Sequence, residues 1–298
     1  MRRRWAGRSD IPRGPLFRRL AVVGVGLIGG SVAWGAKRRG LAAQVVGADR
    51  DTTSLRHALV AGMIDVVADA ADAVRDADLV VLAVPVGALA GLADELAPRL
   101  DPRTVVTDVG SVKRSVVERV GWVIPRFVGG HPMAGGEQSG AAAASPDLFE
   151  GATCLVTPTE RTDPAALQAV ERLWHALGAT VVRLDAAVHD EIVAAVSHLP
   201  HLAAYALVNT VAGSDPSGRA LSFAAGGFRD MTRIAASAPE LWRDICLMNR
   251  APLLDALARY TATVGRLRDL IEKGDGPGLL DEFARARDVR RSLREGAR

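Results

Sequence analysis

The chain has 298 residues, 49% hydrophobic and 24% charged, an ordinary soluble composition long enough to bury cores in roughly two domains. Aromatic residues make up only 4%, so those cores are expected to be mainly Ala, Val and Leu. The formal charge of +3 misleads: seven of the 37 basic residues but only one of the 34 acidic ones lie within residues 1–19. The remainder is slightly acidic, which argues against a nucleic-acid partner.

Residues 1–18 read as a disordered basic tail, without the serine-rich amphipathic period of a transit peptide or the apolar run of a secretory signal. From there short apolar runs alternate with helical patterns, the signature of a parallel sheet. Strands are predicted over 19–24 and 44–49, with a helix over 27–39 between them. The run 79–84 (LVVLAV) is apolar throughout, as in a strand buried on both faces, and Pro85 ends it. Further strands follow over 104–108, 127–130, 153–157 and 180–184, in a sheet of about eight, with helices from 112 and over 164–177. After 184 strand signals stop. Helices are predicted over 186–212, 216–221, 239–263 and 265–298, punctuated at Gly226-Gly227 and Ala238-Pro239.

The expected organisation is therefore an α/β domain over 19–185 followed by an all-helical domain over 186–298. The helical part has more apolar faces than so short a segment can cover, so a homodimer built through it is expected. Residues 192–214 lack Asp, Glu, Lys and Arg, but they carry Ser197, His198, Pro200, His201, Asn209 and Thr210. That polar load favours a helix buried in a globular core over a membrane span. Cys154 and Cys246 match no metal or redox spacing and are expected unpaired, as in the cytoplasm.

The first strand runs into Gly24-Val25-Gly26-Leu27-Ile28-Gly29, and an acid, Asp49, ends the next strand. This is the context of a Rossmann-type dinucleotide site: Gly24 for the turn, Gly26 for approach of the pyrophosphate, Gly29 for helix packing. Asp49 suits the ribose hydroxyls and so favours NAD over NADP, while the neighbouring Arg50 keeps the phosphorylated cofactor in play. Val84-Pro85 reads either as a contact to the nicotinamide half or as a strand stop. Ser111, in 108–113 (DVGSVK), reads either as a helix N-cap or as a ligand group at a strand end. His131, after Gly129-Gly130, has the near-neutral pKa that suits proton transfer, and it is expected outside apolar packing. Ser197 and His201 share a helix face, with Pro200 to kink it; they either satisfy one another or line a pocket. Arg233, near Arg229 and Asp230, reads either as a two-pronged carboxylate clamp or as one member of a solvated ion cluster.

Taken together, 24–31 (GVGLIGGS), 108–113 (DVGSVK), 131–140 (HPMAGGEQSG), 197–201 (SHLPH), 226–235 (GGFRDMTRIA) and Trp242 resemble the prephenate/arogenate dehydrogenase family of tyrosine biosynthesis. The resemblance spans about residues 20–250. It implies a dinucleotide domain with a helical dimerisation domain, NAD bound by Gly24, Gly26, Leu27, Ile28, Gly29, Asp49, Arg50, Val84 and Pro85, and prephenate or arogenate as small-molecule substrate. It implies His131 as the catalytic base, Ser111 beside the hydroxyl and nicotinamide, and Arg233 on a substrate carboxylate. Ser197 and His201 line the pocket in this reading, and Glu137, Asp230 and Trp242 shape its entrance. No metal is implied. Within 298 residues no room is left for the regulatory domain some members carry, so any inhibition by tyrosine is expected to act at the active site itself, by competition. A 3-hydroxyacid dehydrogenase is disfavoured because the helix around Ser197–His201 offers no lysine, and an NAD(H)-binding sensor would need neither base nor clamp.

Overall fold

The computed structural model describes residues 14–136, 138–214 and 218–295. Of the tail expected over 1–18, residues 1–13 lie outside the described residues. Its end is ordered instead: Phe17 is buried, and β1 spans Phe17–Val23. The elements that follow are α1 (Leu27–Arg38), β2 (Ala42–Ala48), α2 (Thr52–Val60), β3 (Val66–Val67), α3 (Ala70–Ala73), β4 (Leu79–Leu82), α4 (Leu89–Leu96), β5 (Val105–Asp108), α5 (Arg114–Val123) and β6 (Phe127–Pro132). Then come β7 (Thr153–Thr157), α6 (Pro164–Ala176), β8 (Thr180–Arg183), α7 (Ala186–Val193), α8 (Leu199–Ser214), α9 (Arg219–Ser222), α10 (Gly226–Thr232), α11 (Pro239–Met248), α12 (Arg250–Glu272) and α13 (Gly276–Glu295).

The eight strands form one sheet in the order β3-β2-β1-β4-β5-β6-β7-β8. Chain direction reverses its lateral progress between β1 and β4, so a crevice opens at the carboxyl ends of those two strands. The apolar runs divide between two cores. In β1 and β4, Leu20, Val22, Leu79 and Val81 face one cluster, which contains Leu173 and Trp174 of α6. Ala21, Val23, Val80 and Leu82 face the other, which contains Leu89 of α4 and Val116 and Val120 of α5. A period-two strand with every residue apolar has no polar face to turn to water, which is why both faces are covered.

The sheet is not wholly parallel, as the alternation of runs suggested. β6 and β7 pair antiparallel, with His131 opposite Leu155 and Pro132 opposite Cys154. A parallel return needs a crossover that spans the sheet, commonly a helix. Between β6 and β7 the described chain forms only a short 3-10 turn at Ala141–Ala143 and runs back along α1, where Ser145 N–H donates to Ser31 Oγ at 3.0 Å. The two-residue β3 at the sheet edge had no sequence run to announce it.

Among the described residues strands end at Arg183 and every later element is helical, as the pattern indicated. The chain nevertheless divides into compact units at a later point, Met1–Asn249 and Arg250–Arg298. Trp242 and Ile245 of α11 explain this, because they complete the second core of the sheet. The start of the helix expected at 216 lies outside the described residues, and the predicted 239–263 helix is broken at Asn249. In the second unit α12 and α13 meet at Gly274, which adopts φ +65°, and Asp275 accepts the N–H of Gly278 at 2.9 Å.

The apolar segment 192–214 belongs to a 29-residue helical stretch, Ala186–Ser214, long and apolar enough by composition to cross a membrane. It is not the buried core helix the sequence suggested: within α8 only Ala204 is buried. Pro200 does disturb the helix, in the form of a π turn at Ala194–His198. Proline lacks the N–H for an ordinary helical bond and crowds the preceding turn, and a widened turn relieves both.

Candidate active site

The glycine loop follows β1, and its three glycines differ in what surrounds them. Gly24 has φ +96°, and a Cβ there would lie 2.3 Å from the Ala83 carbonyl oxygen. A Cβ on Gly29 would lie 1.9 Å from the Gly24 carbonyl oxygen. These two allow the loop to exist. Gly26, by contrast, would meet nothing within 4 Å, so its missing side chain leaves open space in front of the loop. Gly26 is also the N-cap of α1, whose first-turn N–H groups receive no side-chain cap. Open space before uncapped N–H groups fits a pyrophosphate, which helix N-termini stabilise.

Asp49 lies just beyond β2, and its carboxylate points into the same loop. One oxygen accepts the Val25 N–H at 2.6 Å and the other the Asp51 N–H at 2.9 Å. The carboxylate is thus fixed by the backbone, with remaining lone pairs for ribose hydroxyls. Arg50 is exposed beside it, and Val84 and Pro85 follow the end of β4 across the crevice.

Ser111 lies between β5 and α5 and is half-buried. It does not cap α5, whose N-cap position is Lys113. The cap is supplied from afar: Asp190 of α7 accepts the N–H of Lys113 at 2.7 Å and of Arg114 at 3.0 Å. Lys113 itself is wholly buried. Its ammonium pairs with Asp108 and donates to the Gly130 carbonyl at 3.0 Å, while Asp108 accepts the N–H of Gly110 at 2.8 Å and of Gly130 at 3.1 Å. One ion pair therefore stitches the end of β5, the Ser111 turn and the middle of β6 together.

His131 follows within β6 rather than on a turn, and it is buried. Its neighbours are polar, which reconciles that burial with the expectation of a site outside apolar packing. Its Nδ1 lies 2.9 Å from His189 Nε2, and His189 Nδ1 lies 2.8 Å from Asp190 Oδ1. Burial holds the His131 pKa well below the usual 6.5, reinforced by His189, Lys113 and His198. The ring is thus neutral at physiological pH and able to take a proton.

Ser197, His198 and His201 occupy the π turn and the start of α8. His198 is buried, with Nδ1 3.0 Å from Asn249 Nδ2, which also donates to the Asp190 carbonyl at 2.9 Å. The Ser111 backbone lies beside the ring, whose Nε2 is buried without a hydrogen-bond partner among the described residues. Burial lowers the His198 pKa to about 4. His201 is half-buried; its Nδ1 donates to the Ser197 carbonyl at 2.9 Å, and its ring stacks on Trp242 with centroids 3.6 Å apart. Ser111, His131, the Ser197–His201 turn and Trp242 are thereby drawn towards one polar cluster.

The sequence reading missed His189, Asp190, Asn249, Asp108 and Lys113 as members of that cluster. Arg233 and Asp230 stand apart, exposed on the segment at α10 and the following 3-10 turn Arg233–Ala236. That segment packs against α8, where the Tyr205 hydroxyl donates to the Ser237 carbonyl at 2.9 Å. Glu137 lies outside the described residues.

Family models place this arrangement. The prephenate dehydrogenase nucleotide-binding domain matches residues 32–183, and the prephenate dehydrogenase dimerization domain matches residues 185–285. The chain belongs to the prephenate dehydrogenase family. It is 37% identical over 280 residues to a prephenate dehydrogenase of Bacillus subtilis (strain 168), covering 92% of this chain and 76% of that protein. It is 36% identical over 284 residues to a cyclohexadienyl dehydrogenase of Zymomonas mobilis, covering 94% and 97%. Among solved structures, prephenate dehydrogenase from A. aeolicus in complex with hydroxyphenyl propionate and NAD+ superposes with a TM-score of 0.88 at 35% identity, covering 93% and 98%.

Two outcomes are expected. Gly26→Ala keeps the melting temperature of the parent but weakens NADH binding about tenfold in a fluorescence titration, the loss of roughly one hydrogen bond to a charged group. Gly29→Ala lowers the melting temperature itself. Equal behaviour of the two variants contradicts the cradle. Buried neutral imidazoles also set a pH dependence. Unfolded histidines protonate near pH ~6.5, before the folded His198 does near about 4, so the unfolded chain takes up protons first and stability falls across that interval. The urea midpoint should decline from pH ~6.5 downward, and His198→Gln should flatten the decline; an unchanged slope rejects it.

Proposed function

We propose that this chain is an NAD-dependent prephenate dehydrogenase, converting prephenate to 4-hydroxyphenylpyruvate and CO₂ in tyrosine biosynthesis. The observation that carries the reading is His131: a buried neutral imidazole with one nitrogen engaged by His189, near the carboxyl-end crevice of a dinucleotide-type sheet. Gly24, Gly26, Leu27, Ile28, Gly29, Asp49, Arg50, Val84 and Pro85 would hold the cofactor. Bound NAD+ supplies a hydride acceptor for the ring carbon that bears the substrate hydroxyl.

The chain's own residues do the rest. His131 takes the hydroxyl proton as that carbon is oxidised, which prevents positive charge from building on the oxygen. Ser111 hydrogen-bonds to the same hydroxyl and orients it. Loss of CO₂ sends the carbon–carbon bonding pair into the ring and on to the former hydroxyl oxygen, and the proton held by His131 returns to that oxygen. A base with a depressed pKa gives that proton back readily. Arg233 clamps a substrate carboxylate, since the dianionic substrate needs a fixed cation. Ser197 and His201 line the pocket, and Glu137, Asp230 and Trp242 shape its entrance.

The active form in this reading is a homodimer acting in the cytoplasm. In the second unit Ile271, Leu280, Phe283, Val289 and Leu293 are exposed, an apolar surface that a second copy would cover. Light scattering at micromolar concentration should return twice the chain mass; the monomer mass contradicts the dimer. His131→Asn is expected to cut kcat by at least about 10²-fold, the low end for loss of a general base. Arg233→Ala should chiefly raise KM for prephenate. A near-parent rate in the first, or an unchanged KM in the second, removes that residue from its role.

A further inference from the structure

The base is the first link in a chain of three buried side chains. The His131 and His189 rings meet edge-on, at 65° with centroids 5.1 Å apart. His189 is fully buried and Asp190 nearly so. Asp190 Oδ1 accepts the Lys113 N–H and Oδ2 the Arg114 N–H, and the Asp190 carbonyl accepts Asn249 Nδ2. This residue is therefore anchored to the start of α5 and the end of α11 at once.

These contacts link the protons, so that the state of one ring sets the next. Both Asp190 oxygens already receive backbone N–H groups, so the carboxylate is an acceptor and the proton of the next bond sits on His189 Nδ1. With His189 carrying that single proton, its Nε2 is bare and the 2.9 Å bond is donated by His131 Nδ1. His131 Nε2 is left with a lone pair. Among the described residues no hydrogen bond reaches it, and it is not one of the sealed, unpaired atoms of this region, as His198 Nε2 is.

We propose that His189 and Asp190 are positioning residues that lock His131 in the Nδ1–H tautomer and aim its bare Nε2 at the substrate hydroxyl. This rests on His131 being the base. The tautomer of a histidine is set by the bond its other nitrogen makes, and a fully satisfied buried network holds the ring in one orientation. A neutral imidazole between base and carboxylate has a further effect. A carboxylate in direct contact would favour the protonated ring, whereas the intervening His189 orients His131 without that charge beside it. The competing arrangement, a doubly protonated His189, would place the proton on His131 Nε2 and leave no base.

Nitrogen NMR of the histidine-labelled full chain, with His131 assigned against His131→Asn, reads the tautomer directly. The expected result is a protonated Nδ1 and an unprotonated Nε2. A protonated Nε2 overturns the proposal whatever the turnover. In kinetics, His189→Leu should lower kcat about tenfold, the order of one buried hydrogen bond, with KM for prephenate and NAD+ near the parent values and protonated His131 Nε2 appearing in the spectrum. His189→Gln, which keeps an acceptor, should recover part of the rate. Equal loss in both variants, or an unchanged tautomer in His189→Leu, overturns it. Should His189→Leu fail to fold, the parent tautomer and the Gln variant decide. Absence of prephenate turnover in the parent protein would fell the functional reading instead, while leaving the tautomer result to stand on its own.

Discussion

A single buried charge pair, Lys113 with Asp108, is the constraint from which the rest of the site hangs. Taking two ions out of water is costly, and the cost is offset only when every remaining lone pair and proton is satisfied. Here Asp108 also accepts from Gly110 and Gly130, and Lys113 also donates to the Gly130 carbonyl. Those backbone bonds fix the turn carrying Ser111 and the strand carrying His131 relative to each other. The close fit explains Gly130 as well, because a Cβ there would lie 2.9 Å from the Asp108 carbonyl oxygen. The ammonium has an electrostatic consequence too: together with burial and the neighbouring imidazoles it disfavours a charged His131.

The sheet and the helices following it divide the labour around that pair. The sheet's reversal point supplies a crevice, and the glycine loop supplies uncapped N–H groups and open space before them. The helices supply polar side chains that fix His131 and its surroundings. α7 contributes His189 and Asp190, the π turn His198, and α11 Trp242 with Asn249 just beyond it. The π turn earns a place in this account, since the widened turn beside Pro200 carries Ser197 and His198 at the cluster.

Much of this was legible in the sequence, and the parts that were not share a physical reason. Residues 79–82 could be read because a strand buried on both faces must be apolar throughout. The glycine loop could be read because Gly24 and Gly29 answer to steric limits within a few residues. His131 stood out as a polar residue beside two glycines at a strand end, whereas Ser111 read equally as a helix N-cap until Lys113 was found at that position. His189 and Asp190 could not be read in the same way: their contacts lie 58 and 77 residues away in the chain, and their neighbours carry no local pattern. Lys113 was visible within its motif, yet a lysine at a helix start looks like an exposed residue until its carboxylate partner is placed beside it. The antiparallel β6–β7 pair was hidden for a further reason, since strand direction depends on a connection that carries no periodic signal.

The most direct test of the account is the initial rate of cofactor reduction by the purified chain, with prephenate and, separately, with arogenate, each supplied with NAD+ or NADP+. The account predicts turnover with prephenate and NAD+. Absence of turnover in all four mixtures, from protein shown to bind NADH, would contradict it.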